Sequence, residues 1–391
     1  MKKVVAILFA VLLLLGVTAC QKASAPDTSP EYKFETDCQY QHCRMDSSYI
    51  MAESPETIYY INPETNQIYA LDKENDTSIL LCGKPDCLHE DNTCNGHIFF
   101  YNYCMSYYDG HLYGITTESA LGEGDSVSRV LTLTQLSLDG VQRKPIWKIE
   151  WDREVFWGNY LHSSTIHRGK FYFLLFNTES GDTSNVLESM VVSYDLKSKK
   201  IEYLHRVEGK IRDIMFIGNG MFYFDVYDNN FYRYDLSTGE VTEYLDCSSV
   251  IYAGDRLLFN HKNKETQENW LSVTDLEGQN EERYLDLGKG AGFSVQVDGE
   301  YLFIEELRYL LLSNEDYEEG INVYNVKTKE FLTKLEYDDS IPIFEGPAMF
   351  VSGGKRYLFP LMSENPHEFY YFDPTTIGTP DFQWYEVEKV N

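Results

Sequence analysis

Residues 218–245 read GNGMFYFDVYDNNFYRYDLSTGEVTEYL, and this stretch decides the fold. Residues 221–226 are rich in Phe and Tyr and read as a strand. Asp228, Asn229 and Asn230 make a turn, because Asn and Asp tolerate left-handed backbone and bond their own main chain. Residues 231–236 are the next strand, Ser237-Thr238-Gly239-Glu240 a second tight turn, and residues 241–245 a third strand. The rest of the chain looks like looser copies of this unit.

Each copy is anchored on a strand that ends in an aromatic residue and Asp, or an equivalent pair, before a turn. Taking Asp72, Ser137, Asp195, Asp235, Asp275, Asn325 and Asp373 as equivalent, the steps are 65, 58, 40, 40, 50 and 48 residues. The two steps of 40 set the basic unit, and the longer ones carry loop insertions. An aromatic-rich strand precedes each anchor, at 57–61, 111–115, 170–176, 221–226, 256–260, 300–305 and 355–360, and a further strand precedes several of these. Four strands in ~40–45 residues is the size of one propeller blade, which cannot bury both faces alone but can in a ring. The expected fold is therefore all-β, a single β-propeller over residues 46–391, with seven four-stranded blades and six or eight as alternatives. The ring is expected to run from a strand near residues 49–53 to an outer strand at 383–387 and to close without a shared blade, unless residues 31–44 add an edge strand. The Asp after Tyr is expected to cap its own turn.

The Gly-x-x-Tyr-x-Phe run followed by Tyr-x-Tyr-Asp-Leu-x-Thr-Gly-Glu resembles TolB-type and YVTN-type propellers. There is no Gly-His…Trp-Asp signature, so WD repeats are not the match. The resemblance implies strands and turns, not a site.

The first residues have a different character. Lys2 and Lys3 precede an uncharged run at 4–16 and then Val17-Thr18-Ala19-Cys20, the layout of a secretory signal and too short for a ~20-residue span. The ending resembles the bacterial lipobox. That resemblance implies a signal peptide at 1–19, lipidation of Cys20 and an extracytoplasmic, membrane-anchored chain. Residues 20–45 are then expected to be a flexible tether, with QKASAPDTSP at 21–30 having nothing to bury. The chain carries 33 basic and 62 acidic residues. Removing Lys2 and Lys3 leaves 31 against 62, or −31, which disfavours nucleic acid as a partner. The expected partners are the membrane, through the lipid, and a protein or glycan ligand, with the chain a monomer.

Chemistry-bearing residues concentrate in an insertion at 82–97. Cys82, Cys87, His89 and Cys94 form C-x4-C-x-H-x4-C, and three thiolates with an imidazole can complete a tetrahedral Zn2+ site. An oxidising compartment makes disulfides the first alternative, and Cys38 and Cys43 repeat the C-x4-C spacing upstream. Apart from Cys20 the cysteines are 38, 43, 82, 87, 94, 104 and 247, an odd count. The Cys-Gly-Lys-Pro-Asp-Cys-x-His…Cys segment resembles one in surface lipoproteins of gut-dwelling clostridia, and the resemblance implies no activity.

Long connections at 118–129, 178–188, 261–269, 310–320 and 363–368 all follow the second strand of a unit, so they share one end of the ring with the Cys-rich insertion. Binding residues are commonly displayed on such loops. Catalytic signatures are missing: there is no H-E-x-x-H, G-x-S-x-G or phosphate-cradling loop. His89, His162, His167 and His261 have no sequence-visible partner. Trp147, Trp151, Trp157 and Trp270 could stack a sugar or fill a core, and the acidic runs at 123–125 and 315–319 lack EF-hand spacing. The expected function is a binding or scaffold module. The alternative is a carbohydrate-active enzyme, a glycoside hydrolase or lyase, with its site at the channel mouth.

Overall fold

The computed structural model describes residues 29, 31–38, 51–62, 65–90, 93–97, 100–121, 127–149, 160–178, 186–228, 230–290, 292–306, 320–336, 349–352, 356–359 and 370–389. Among them the chain is an all-β propeller. Six sheets have four strands, at 100–148, 160–208, 211–244, 247–289, 293–335 and 349–386, and the first sheet, at 51–80, has a fifth strand from the C-terminus. Within each sheet consecutive strands pair antiparallel, in sequence order from the innermost outward.

Period-two alternation explains why these strands are aromatic on both sides. Successive side chains of a strand point to opposite faces of its sheet, and in a ring both faces meet a neighbouring sheet. In Gly220–Asp225, Met221 and Tyr223 enter a core cluster with Tyr172, Leu174 and Phe176 of the preceding sheet. Phe222 and Phe224 of the same strand face the other way, into a cluster with Val250, Leu257 and Phe259 of the following sheet. Phe171, Phe173 and Leu175 likewise oppose Tyr172, Leu174 and Phe176 across Lys170–Thr178. Every core cluster lies between two consecutive sheets. One of them joins Met51, Ile58, Tyr60 and Leu71 of the first sheet to Tyr371 of the last, so the ring is closed.

Closure differs from the sequence expectation. The outer strand of the last sheet is only Tyr385–Glu386. After Val387 the chain crosses to the first sheet, where Glu388–Lys389 pairs parallel with Thr77–Leu80. Val387 is buried in the cluster between the two sheets. Two residues carry too little periodicity to read as a strand, and only the unpaired edge of the first sheet makes them one. The hairpins of the second and third sheets are also longer than expected. His111–Leu121 and Val127–Ser137 take up most of the connection read as a loop, while Lys170–Thr178 and Val186–Asp195 take up its two ends, residues 178 and 186–188.

Turn capping follows the anchor residues. The side-chain oxygen of Asp72 accepts from the backbone N–H of Glu74 and Asn75, that of Asp195 from Lys197 and Ser198, that of Asp235 from Ser237 and Thr238, and that of Asn325 from Lys327 and Thr328. Asp373 caps Thr375 in the same way. In the second sheet the role passes from Ser137 to Asp139, which accepts from Val141.

Candidate functional site

The Cys-rich insertion leaves the outer strand Thr77–Leu80 and is pinned to two sheets. Ile68 N–H donates to Gly96 O and Gln67 Nε2 donates to His89 O, which fixes it to the first sheet. Asn95 Nδ2 donates to Gly140 O and Val141 O, at the outer turn of the second sheet, at 3.0 and 2.7 Å. Three glycines permit this docking. A Cβ on Gly83 would lie 2.5 Å from Asp139 O, one on Gly96 2.3 Å from Leu81 O, and one on Gly140 2.9 Å from the Cys82 backbone. The insertion therefore sits at the rim, between the first and second sheets, and not over the ring axis.

Here the ligand atoms of Cys82, Cys87, His89 and Cys94 all lie within 4.8 Å of one another. His89 Nδ1 is 3.3 Å from Cys94 Sγ. The group can hold a metal ion. Cys38, Cys82, Cys87, Cys94 and Cys247 are in no disulfide, so among the described residues the structure gathers a ligand set and no disulfide. Burial raises the Cys82 thiol, but the N–H of Lys84, the thiol of Cys94 and the N–H of Asn95 outweigh it and bring it down to about 6. Cys94 moves the other way, to about 11, through burial and through donating to Cys82. Cys38 is not part of this group; it is buried between the third and fourth sheets with its sulfur 3.1 Å from Thr165 Oγ1. Cys20 and Cys43 lie outside the described residues.

A second constellation was not legible beforehand. Residues 31–38, read as part of a tether, are docked as a turn against the ends of the inner strands. Arg168 Nε and Nη2 hold both oxygens of Asp37 at 2.8 and 2.9 Å, while its Nη1 and Nη2 donate to Ser29 O and Glu31 O. Asp37 is 1% exposed. Cys38 N–H donates to His167 Nδ1 (3.0 Å), which leaves Nε2–H of that ring to donate to Gly218 O (2.8 Å). Phe34 packs on Tyr107 and beneath Lys73 Nζ, Tyr107 donates to Glu35, and Tyr32 packs on Tyr252. Burial, followed by Glu53, drives the Tyr32 phenol far above its ordinary range. Tyr107, His167 and Tyr252 belong to the inner strands of the second, third and fifth sheets, and Lys73 lies in the turn that follows Gln67–Asp72 in the first. One eight-residue segment can meet all four sheets only by crossing the ring axis. It plugs the mouth on the side of the first-to-second-strand turns.

The opposite end projects. His111–Leu121 and Val127–Ser137 have eleven residues each, against six in Gly220–Asp225, so the second sheet stands ~16 Å higher there at ~3.3 Å per residue. Beside it Leu187, Val226 and Tyr227 are exposed, with Tyr227 at 56% and its hydroxyl donating to Val186 O. The connections at 310–320 and 363–368 lie almost entirely outside the described residues, as do the acidic runs, Trp151 and Trp157.

The remaining histidines and tryptophans are structural where described. Trp147 stacks on Tyr194 at 4.1 Å, and Trp270 stacks on His261 at 5.0 Å with Arg283 over it. His261, Ser272 and Glu281 have the composition of a hydrolase triad, and His261 Nε2 is 2.8 Å from Ser272 Oγ. However, Ser272 is 2% exposed and donates to Glu281, and His261 Nδ1 faces Leu245 O instead of a carboxylate. A triad needs an accessible hydroxyl and an acid on the far ring nitrogen, so this grouping is a buried hydrogen-bond network.

No family model and no curated protein matches the chain. Solved structures similar to it include the β-propeller domain of the Trilobed protease from Pyrococcus furiosus, at 16% identity over 73% of this chain and 85% of that one, with a TM-score of 0.48. An oligogalacturonate lyase in complex with manganese is 12% identical over 93% of this chain and 91% of that one, TM-score 0.47. The Pyrococcus horikoshii acylaminoacyl peptidase is 12% identical over 92% of this chain and 54% of that one, TM-score 0.49. At these identities no activity passes from them to this chain.

Proposed function

We propose that the chain is a lipid-anchored, extracytoplasmic β-propeller of seven sheets that binds a protein or glycan at the end opposite its N-terminal plug. One observation carries the reading: residues 31–38 occupy one mouth of the ring through Arg168, His167 and Tyr252, so the raised hairpins at the other end frame the accessible surface. Lipidation at Cys20 would leave nine residues to Ser29, at most ~30 Å of extended chain. That tether turns the plugged mouth toward the membrane and the raised end outward. Among the described residues no helix is long and apolar enough to cross a membrane. Tyr227 and Leu187 offer the exposed aromatic and aliphatic surface on which a sugar ring or an apolar peptide side chain packs. In this reading the protein acts as a monomer, and the rim cluster, with Zn2+ as its candidate metal, has no part in a reaction.

A glycan and peptide panel presented to the full chain in detergent tests the proposal. Leu187→Lys with Tyr227→Ala is expected to weaken binding at least tenfold, while Lys199→Glu, in an outer turn at the plugged end, leaves it unchanged. The opposite pattern would defeat the assignment of the face. Release of product from a glycan would replace the binding module with a hydrolase or lyase.

A further inference from the structure

We propose that Cys82, Cys87, His89 and Cys94 form a closed, structural zinc site that clamps the first sheet to the second. The proposal stands on four observations. First, three thiols and one imidazole within 4.8 Å need contract by only ~1 Å to reach a tetrahedron with Zn–S of ~2.3 Å, whose sulfur–sulfur edge is ~3.8 Å. This soft donor set selects zinc over magnesium or calcium, which prefer oxygen.

Second, the surroundings suit a metal–thiolate centre. The ligand residues are held by hydrogen bonds of their own: His97 N–H donates to Cys94 O, and Gln67 Nε2 donates to His89 O. Such outer contacts orient the residues that carry the ligands. A site of Zn2+ with three thiolates carries −1. Lys84 Nζ bonds Thr93 O and Arg143 Nη1 bonds Cys94 O, which places two cations beside it.

Third, the insertion has hydrogen bonds to its neighbours but no apolar core of its own. Leu88 is 80% exposed, and among the described residues none between Cys82 and Cys94 enters a core cluster. Asp86 and His89 nevertheless adopt left-handed backbone (φ 57° and 59°), which costs ~1 kcal/mol per non-glycine residue. A metal bond supplies folding free energy to segments without a core.

Fourth, the ligands straddle a boundary. Cys82 comes two residues after the end of the first sheet's outer strand, while Asn95, adjacent to Cys94, and Arg143 tie the other end to the second sheet. With four protein ligands and no open position the role is structural.

The test uses the full chain and Zn2+ alone, titrated against a chromophoric chelator. One zinc per chain is expected, with the three thiols shielded from alkylation until the chelator removes the metal. His89→Cys is expected to retain zinc, whereas Cys87→Ser weakens it by about 100-fold or more. Amide exchange in the outer turn of the second sheet, residues 137–142, should slow on zinc binding in the wild type and not in Cys87→Ser. Rapid alkylation of all three thiols with no bound zinc, or a disulfide among them, overturns the site. Stoichiometric zinc with unchanged exchange at 137–142 overturns the clamp.

Discussion

Asp235 shows what one residue contributes here. Its Oδ1 accepts from Ser237 and Thr238 and from Asn219 Nδ2, and Arg233 lies 3.1 Å from its other oxygen. Burial raises this carboxyl, but the Ser237 and Thr238 donors and then Arg233 outweigh burial and hold it well below the usual range. A carboxyl depressed in the folded state stabilises above its unfolded value of ~3.9, and that stabilisation fades as pH falls through the folded value. Asp235→Ala should therefore cost ~1 kcal/mol at pH 7, as loss of a capping residue does, and flatten the acid limb. The histidines act at a higher pH. Burial lowers His261 and His205, so both are neutral in the fold and take up protons more readily once unfolded. Stability should decline from about pH 6.5 downward, ahead of the carboxylates. Denaturation midpoints measured from pH 8 to pH 3, with His205→Gln reducing the first decline, check this order.

At the scale of the element, a strand here is a wall shared by two cores. Phe222 is fully buried on one side of Gly220–Asp225, so Phe222→Ala should cost ~3–5 kcal/mol, whereas trimming Phe331 at 52% exposure should cost under ~1 kcal/mol. Urea unfolding of the two variants separates them. The C-terminal strand is a clasp on the same principle. Deleting residues 387–391 removes the buried Val387 side chain and the pairing of Glu388 and Lys389 with Thr77 and Ser78. A loss of at least ~2 kcal/mol is expected, with faster amide exchange in Thr77–Leu80 than in Val241–Tyr244. Uniform exchange across both strands would show that the ring closes without the clasp.

For the whole molecule, the plug makes the two ends of the ring unequal. Arg168→Met strands Asp37 in a buried position and should cost ~3–5 kcal/mol, while Arg168→Met with Asp37→Leu recovers most of it. Limited proteolysis in residues 29–38 should rise in the single variant and fall back in the double. Arg168 and Asp37 are 131 residues apart and follow no motif, so nothing along the chain linked them. The strands were legible because most repeat a short local code: aromatic alternation, then an Asp or Asn that accepts from the N–H groups two and three residues on. The rim cluster was half legible, since the spacing of Cys82, Cys87, His89 and Cys94 named its members but not its place.

By itself the sequence determined the all-β propeller, its blade grammar and the four members of the Cys/His set, because these follow from side-chain period, turn chemistry and donor type. The tertiary structure alone decided that residues 31–38 cap the ring, that Glu388–Lys389 closes it onto Thr77–Leu80, and that the set sits between two sheets. Each of those rests on groups far apart in the chain that meet only once the sheets have packed. No local preference encodes such a meeting. It is fixed by buried polar groups, an open strand edge and glycine-sized gaps that exist only in the assembled ring.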